Sequence, residues 1–212
     1  MKKIKIKYDS VITIENIECI YKKIKRNVRN KNKIILFEDY YSSNISKVYE
    51  VLKNKSYDGG KYYLFSIYEP KKRLIMSQGM NDKIINHFIS EYYLRNLEKS
   101  MINSNVATRK GKGTKLGVTL LKKYLNELKN KNFYILKCDI EKYFYSISHR
   151  KLKEMLEKRY KDCDILVLLN QVIDSFNHSY VKEYCKKNNF YYKNGYGLPI
   201  GYRPVKFLRY II

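Results

Sequence analysis

Asp139 closes a nearly continuous apolar run, Phe133-Tyr134-Ile135-Leu136-Lys137-Cys138. A run of that kind suits a strand in the middle of a sheet. A carboxylate at its end, just before the chain turns, has two uses. It presents oxygen to Mg²⁺ while the strand fixes its position, or it simply caps the turn. Two basic segments stand out. Glu69-Pro70-Lys71-Lys72-Arg73 puts two lysines at a proline turn with an arginine at its edge. Arg109-Lys110-Gly111-Lys112-Gly113-Thr114 is a basic glycine loop that leads into a helix. It is not a P-loop: the leading glycine is missing, and Gly-Lys-Gly-Thr is not Gly-Lys-Ser/Thr. Cys19, Cys138, Cys163 and Cys185 are scattered, with no Cys-x-x-Cys pair and no histidine at ligand spacing. That argues against zinc and against a disulfide framework, and for a reducing cytosol. His87, His149 and His178 have no partner at useful spacing and read as structural.

The elements that must position these residues follow from periodicity. Residues 1–33 read as a polar, basic lead-in, with Tyr21-Lys22-Lys23-Ile24-Lys25-Arg26 as its densest charge run. That run either grips a phosphate backbone or forms a solvated helix face. A short helix is expected over 45–55, and a hairpin from Tyr62–Ile67 and Arg73–Met76 across the proline turn. Ile84, Ile85, Phe88, Ile89 and Tyr92 predict one amphipathic helix over 82–99. Leu121, Tyr124, Leu125 and Leu128 mark another helix, Ser148 caps one over 149–160, and Ile165 to Phe176 stripe a further one. Residues 179–196 fit no clear pattern, and Gly197-Leu198-Pro199-Ile200-Gly201 is a tight turn.

The chain carries 44 Lys and Arg against 20 Asp and Glu, a net charge of +24, which favours a polyanion such as nucleic acid. The 23 tyrosines point to AT-rich codons as a second source of the lysines. Apolar runs such as Ile165–Leu169 are too short to span a bilayer, and no apolar h-region follows Met1-Lys2-Lys3. No membrane association and a cytoplasmic location are therefore expected.

Five blocks, in order, resemble prokaryotic reverse transcriptases. Asp139-Ile140-Glu141-Lys142-Tyr143-Phe144-Tyr145-Ser146-Ile147 is similar to motif A, and Glu69 to Ile75 resembles the fingers hairpin of bacterial members. Asn81 to His87 matches the helix after it, Ala107 to Thr114 the basic glycine loop, and Gly197 to Gly201 the start of motif B. The resemblance implies an α+β right-hand fold with fingers over 34–131 and an incomplete palm over 132–201. It implies an RNA-directed DNA polymerase acting on an RNA template, a DNA primer and dNTPs with Mg²⁺. Asp139 and the Ile140 carbonyl would bind metal. Phe144 would exclude a 2′-hydroxyl, Lys71 and Arg73 would clamp the triphosphate, and Pro199 and Gly201 would shape the turn against the nascent pair. Arg109, Lys110, Gly111, Lys112 and Gly113 would touch template or primer. Which reverse-transcriptase system is involved, and which protein partners, the residues do not specify.

The pattern breaks after Gly201. The family's Tyr-x-Asp-Asp turn is missing, and no Asp-Asp pair occurs in the chain, so polymerisation by these residues alone is not expected. One permitted set of codons for Tyr202–Ile212, read in a shifted frame from the last base of the Arg203 codon, gives Thr-Ser-Gln-Ile-Phe-Ala-Ile-Tyr-Tyr. That resembles the continuation of motif B. Residues 202–212 are therefore expected to be an out-of-frame tail without function. The alternative reading is a non-catalytic nucleic-acid-binding fragment acting through its basic fingers.

Overall fold

The computed structural model describes residues 3–28, 31–68, 70–107, 109, 111–199, 204 and 208. Its first helix, α1 (Ile14–Asn27), corrects the reading of residues 1–33 as a polar lead-in. Thr13 caps it by accepting a hydrogen bond from the Asn16 N–H at 3.2 Å. Ile17, Ile20, Tyr21 and Ile24 recur at helical spacing and are buried, while Lys22, Lys23, Lys25 and Arg26 stay in solvent. The charge run is thus the outer face of a core helix. The inner face packs on α3 (Tyr41–Lys53) and α4 (Met80–Phe88), while α2 (Asn32–Glu38) lies against α3.

The predicted hairpin forms as strands β1 (Tyr62–Tyr68) and β2 (Lys72–Gln78), antiparallel, with Phe65 opposite Ile75 and Tyr68 opposite Lys72. The chain is thus a mixture of helix and strand. The single helix expected over 82–99 becomes three windings. α4 opens into a wide π turn over Ile89–Tyr93, then tightens into a 3₁₀ segment over Leu94–Ser100. Two side chains at the junction bond to carbonyls one turn back. Asn86 donates to the Asp82 carbonyl at 2.8 Å, and the Ser90 hydroxyl to the Asn86 carbonyl at 2.7 Å. Such back-bonding competes with the regular ladder and favours a change of winding there.

Further helices follow: α5 (Thr114–Glu127), a single turn α6 (Tyr143–Ser146), α7 (His149–Glu157), α8 (Cys163–Asp174) and α9 (Ser179–Lys187). The predicted stripe of α8 is buried as Ile165, Leu169, Val172 and Ile173, and α8 packs on α7. Asp162 caps α8 through the Asp164 and Ile165 N–H groups and also accepts from the Tyr8 N–H at 2.9 Å. Losing both roles should exceed the usual cost of a cap. Asp162→Ala is expected to lower unfolding free energy by about 2 kcal/mol, read from a urea midpoint at unchanged slope.

The strand expected over 133–138 does not form. Residues 131–140 are irregular and exposed, with Tyr134 and Leu136 almost fully open to solvent. A strand needs a neighbour for its N–H and C=O groups. The one sheet among the described residues is the β1–β2 hairpin, which does not reach this segment. Helix α5 has its predicted apolar stripe, yet Val118, Leu121 and Tyr124 remain exposed. Within residues 202–212 only Pro204 and Leu208 are described, and both are buried, Leu208 in the main core.

Candidate nucleic-acid interface

Three of the sequence-separated blocks meet behind the hairpin. Between Asp139 and Phe144 the chain reverses at Lys142, whose backbone is left-handed (φ 49°). That turn starts α6, and Tyr145 sits close to the backbone of Leu74 on β2, with the Arg73 charge nearby. Burial pushes the Tyr145 phenol up, and the Leu74 backbone and Arg73 pull the other way. On its other side α6 receives the Gly-Leu-Pro turn. The Leu198 N–H donates to the Phe144 carbonyl, and the Gly197 N–H to the Ile147 carbonyl, each at 2.8 Å. Gly197 has φ +96°, and a Cβ there would lie 2.7 Å from the Phe176 ring, so the close docking of this turn requires glycine. Phe144 is half-buried and Pro199 buried. Gly201 lies outside the described residues.

At the hairpin tip Lys71 and Arg73 are exposed. Their neighbour Lys72 is held instead, donating to the Asn188 carbonyl at 2.7 Å and lying 4.8 Å from the Phe190 ring centre. Asp139 and Ile140 are exposed on irregular backbone. The nearest acidic residue in sequence, Glu141, pairs with Lys142 at 3.4 Å. Among the described residues no cluster of three His, Cys, Asp or Glu side chains could hold a metal ion. One carboxylate is too small a donor set for two Mg²⁺ ions.

The basic glycine loop is tied inward. The Arg109 guanidinium donates to the carbonyls of Ile102 and Asn105 at 3.2 Å each and of Glu98 at 3.3 Å. Lys112 donates to the Asn103 carbonyl at 3.1 Å. Gly111 has φ +72°, and Gly113 precedes the first turn of α5. Lys110 lies outside the described residues.

A groove of about 640 Å³ that sequence reading missed opens between the outer face of the hairpin, α2 and the start of α4. Tyr63, Phe65 and Leu36 line it with exposed apolar surface, and Lys33 and Lys83 supply charge. Burial lowers the Lys83 ammonium below its ordinary range, and repulsion from Lys33 lowers it further. An anion between these two lysines would relieve that strain. Exposed aromatic faces beside paired cations make a platform for unpaired bases and their phosphates. The available signal was the two-residue spacing of Tyr63 and Phe65, which puts both rings on one strand face.

Neither a protein-family model nor a curated protein matches this chain. Among the described residues, no helix is long and apolar enough to cross a membrane.

Proposed function

We propose that this chain is a nucleic-acid-binding protein of the reverse-transcriptase kind. Its hairpin, α6 and the Gly-Leu-Pro turn would correspond to the parts of a right-hand fold that hold a templated primer end and a dNTP. The observation that carries this reading is the convergence of three resembling blocks. The hairpin, α6 and the Gly-Leu-Pro turn belong to stretches far apart in sequence, yet Leu198 and Gly197 donate to the Phe144 and Ile147 carbonyls, and Tyr145 of α6 sits close to Leu74 of β2 and the Arg73 charge. In the proposed site Lys71 and Arg73 would take the triphosphate, and Phe144 would stand where a 2′-hydroxyl clashes. The basic glycine loop would lie beside the duplex backbone, with Arg109 and Lys112 holding its shape through the carbonyls of residues 98–105.

A second reading, binding without polymerisation, is favoured by a specific contrast. The groove beside Tyr63 and Phe65 is complete within this chain, whereas the carboxylates needed beside Asp139 are not among its 212 residues. The two separate in one experiment on the purified chain with a labelled RNA template annealed to a DNA primer. Affinity is expected to fall at least about 10³-fold between roughly 50 and 200 mM salt, as neutralisation of several phosphates requires. No dNTP is expected to be incorporated with Mg²⁺ present. Incorporation would establish polymerisation by these residues alone, and salt-insensitive or absent RNA binding would remove both readings.

A further inference from the structure

His149 has no partner in its own stretch of sequence, yet the fold surrounds it with three. Its side chain is buried at the start of α7. Nε2 lies 2.6 Å from the Gly197 carbonyl, and Nδ1 lies 3.2 Å from the Asn177 side-chain amide nitrogen and 3.6 Å from an Asp174 carboxylate oxygen. The network fixes the proton. The carbonyl can only accept, so Nε2 carries the hydrogen, and the amide NH₂ can only donate, so Nδ1 is bare. Asn177 then has its carbonyl oxygen free to accept from the Gly195 N–H at 3.2 Å and the Tyr192 hydroxyl at 3.5 Å. The His149 N–H adds a bond to the Gly195 carbonyl at 2.9 Å. One neutral imidazole thus ties Gly197 to α7 directly and, through Asn177 in the 3₁₀ turn after α8, holds Gly195 and Tyr192.

We propose that His149 is a proton-operated latch on the 192–199 turn, closed when its imidazole is neutral and opened when it is protonated. A proton on Nδ1 removes the acceptor that Asn177 uses and sets two donors face to face. The Nδ1–H turns instead to Asp174, which Lys153 already holds at 2.6 Å. Asn177 must then rotate, and its bonds to Gly195 and Tyr192 go with it. The charged groups facing the ring are Asp174 of α8 and Lys153 of α7; Arg150 and Tyr196 line the same recess, and Tyr192 reaches it through Asn177. Burial lowers the imidazole below its ordinary range, opposed by the Gly197 carbonyl and Asp174, and Lys153 lowers it too. The sign follows. The folded chain holds this proton less tightly than the unfolded one, so the latch is closed above the ordinary histidine range. It loosens as pH falls through that range towards the lower folded value.

The latch goes beyond the nucleic-acid reading, and its test needs no ligand. Amide exchange of the 192–199 peptides, corrected for intrinsic rates, is measured from about pH 8 to about pH 5. In the native sequence, protection there is expected to fall about tenfold relative to the α8 peptides over that interval. His149→Gln can donate to Gly197 and accept from Asn177 without titrating, so its protection should be pH-independent. Asp174→Asn removes the carboxylate that stabilises the charged ring and should move the opening to lower pH. A flat native profile overturns the proposal, as does an Asp174→Asn profile identical to the native one. If His149→Gln fails to fold, the native and Asp174→Asn profiles still decide.

Discussion

Above pH 10 this protein is expected to lose its fold in one cooperative step. Three phenols, Tyr8, Tyr93 and Tyr160, are almost wholly buried and linked end to end through the backbone. Tyr160 donates to the Tyr93 carbonyl at 2.9 Å, Tyr93 to the Tyr8 carbonyl at 2.8 Å, and Tyr8 to the Leu52 carbonyl at 2.7 Å. Burial is the main force pushing all three phenols above their ordinary range, and Asp9, Asp162 and Asp164 add to it at Tyr8. A phenolate would have nothing to donate and would face a carbonyl oxygen instead. Because the folded values are raised, these groups contribute fully below the ordinary tyrosine range. Their contribution fades as the unfolded chain releases protons that the folded chain keeps. Each such phenol removes about 1.4 kcal/mol per pH unit above about pH 10, so three remove about 4. Against a total stability of about 5–15 kcal/mol, unfolding falls within about one to four units. Tyr41, held up to about 12 by burial and its bond to Glu18, steepens the end of the transition. The check is phenolate absorbance followed beside far-ultraviolet circular dichroism. The last tyrosines should ionise together with helix loss. Complete ionisation at full helicity would refute the argument.

What could be read in advance was local, and what could not was a matter of distant partners. The hairpin was legible because a proline turn between β-branched and aromatic runs brings its own two strands together. Helix α8 was legible because Ile165, Leu169, Val172 and Ile173 follow one period without interruption. Helix α1 carries an equally regular stripe, but four cations interleaved with Tyr21 and Ile24 draw attention to its wet face. The run 133–138 has the composition of a strand and no described neighbour to pair with, and composition cannot supply one. His149 reads as structural in the sequence because its partners at Asp174, Asn177 and Gly197 enter from a different helix and from turns beyond it. The candidate site divides the same way. Arg73 and Phe144 could be named from their motifs, whereas the inward ties of Arg109 depend on carbonyls of the preceding segment.

The second large effect is expected in the groove beside the hairpin, where removing rings and removing charges should weaken RNA binding in different ways. Tyr63 is 69% and Phe65 45% exposed, so truncating either leaves the buried core untouched. A stacked base is worth about 1–3 kcal/mol, so Tyr63→Ala and Phe65→Ala should each weaken single-stranded RNA binding by about fivefold or more. A ring releases no counterion, so the slope of affinity against salt should not change. Lys33→Ala and Lys83→Ala should do the reverse, with a smaller loss at low salt and a slope reduced by about one for each phosphate contact removed. Lys33→Ala has a further signature inside the protein. Without its neighbour's charge, the Lys83 ammonium should titrate higher, which chemical-shift titration reads directly. Unchanged affinity in all four groove variants would leave only diffuse attraction from a net charge of +24, which has no groove and no preference for single strands. Loss of affinity with the salt slope preserved in the ring variants alone would instead locate the bases on Tyr63 and Phe65, since diffuse charge cannot produce that separation.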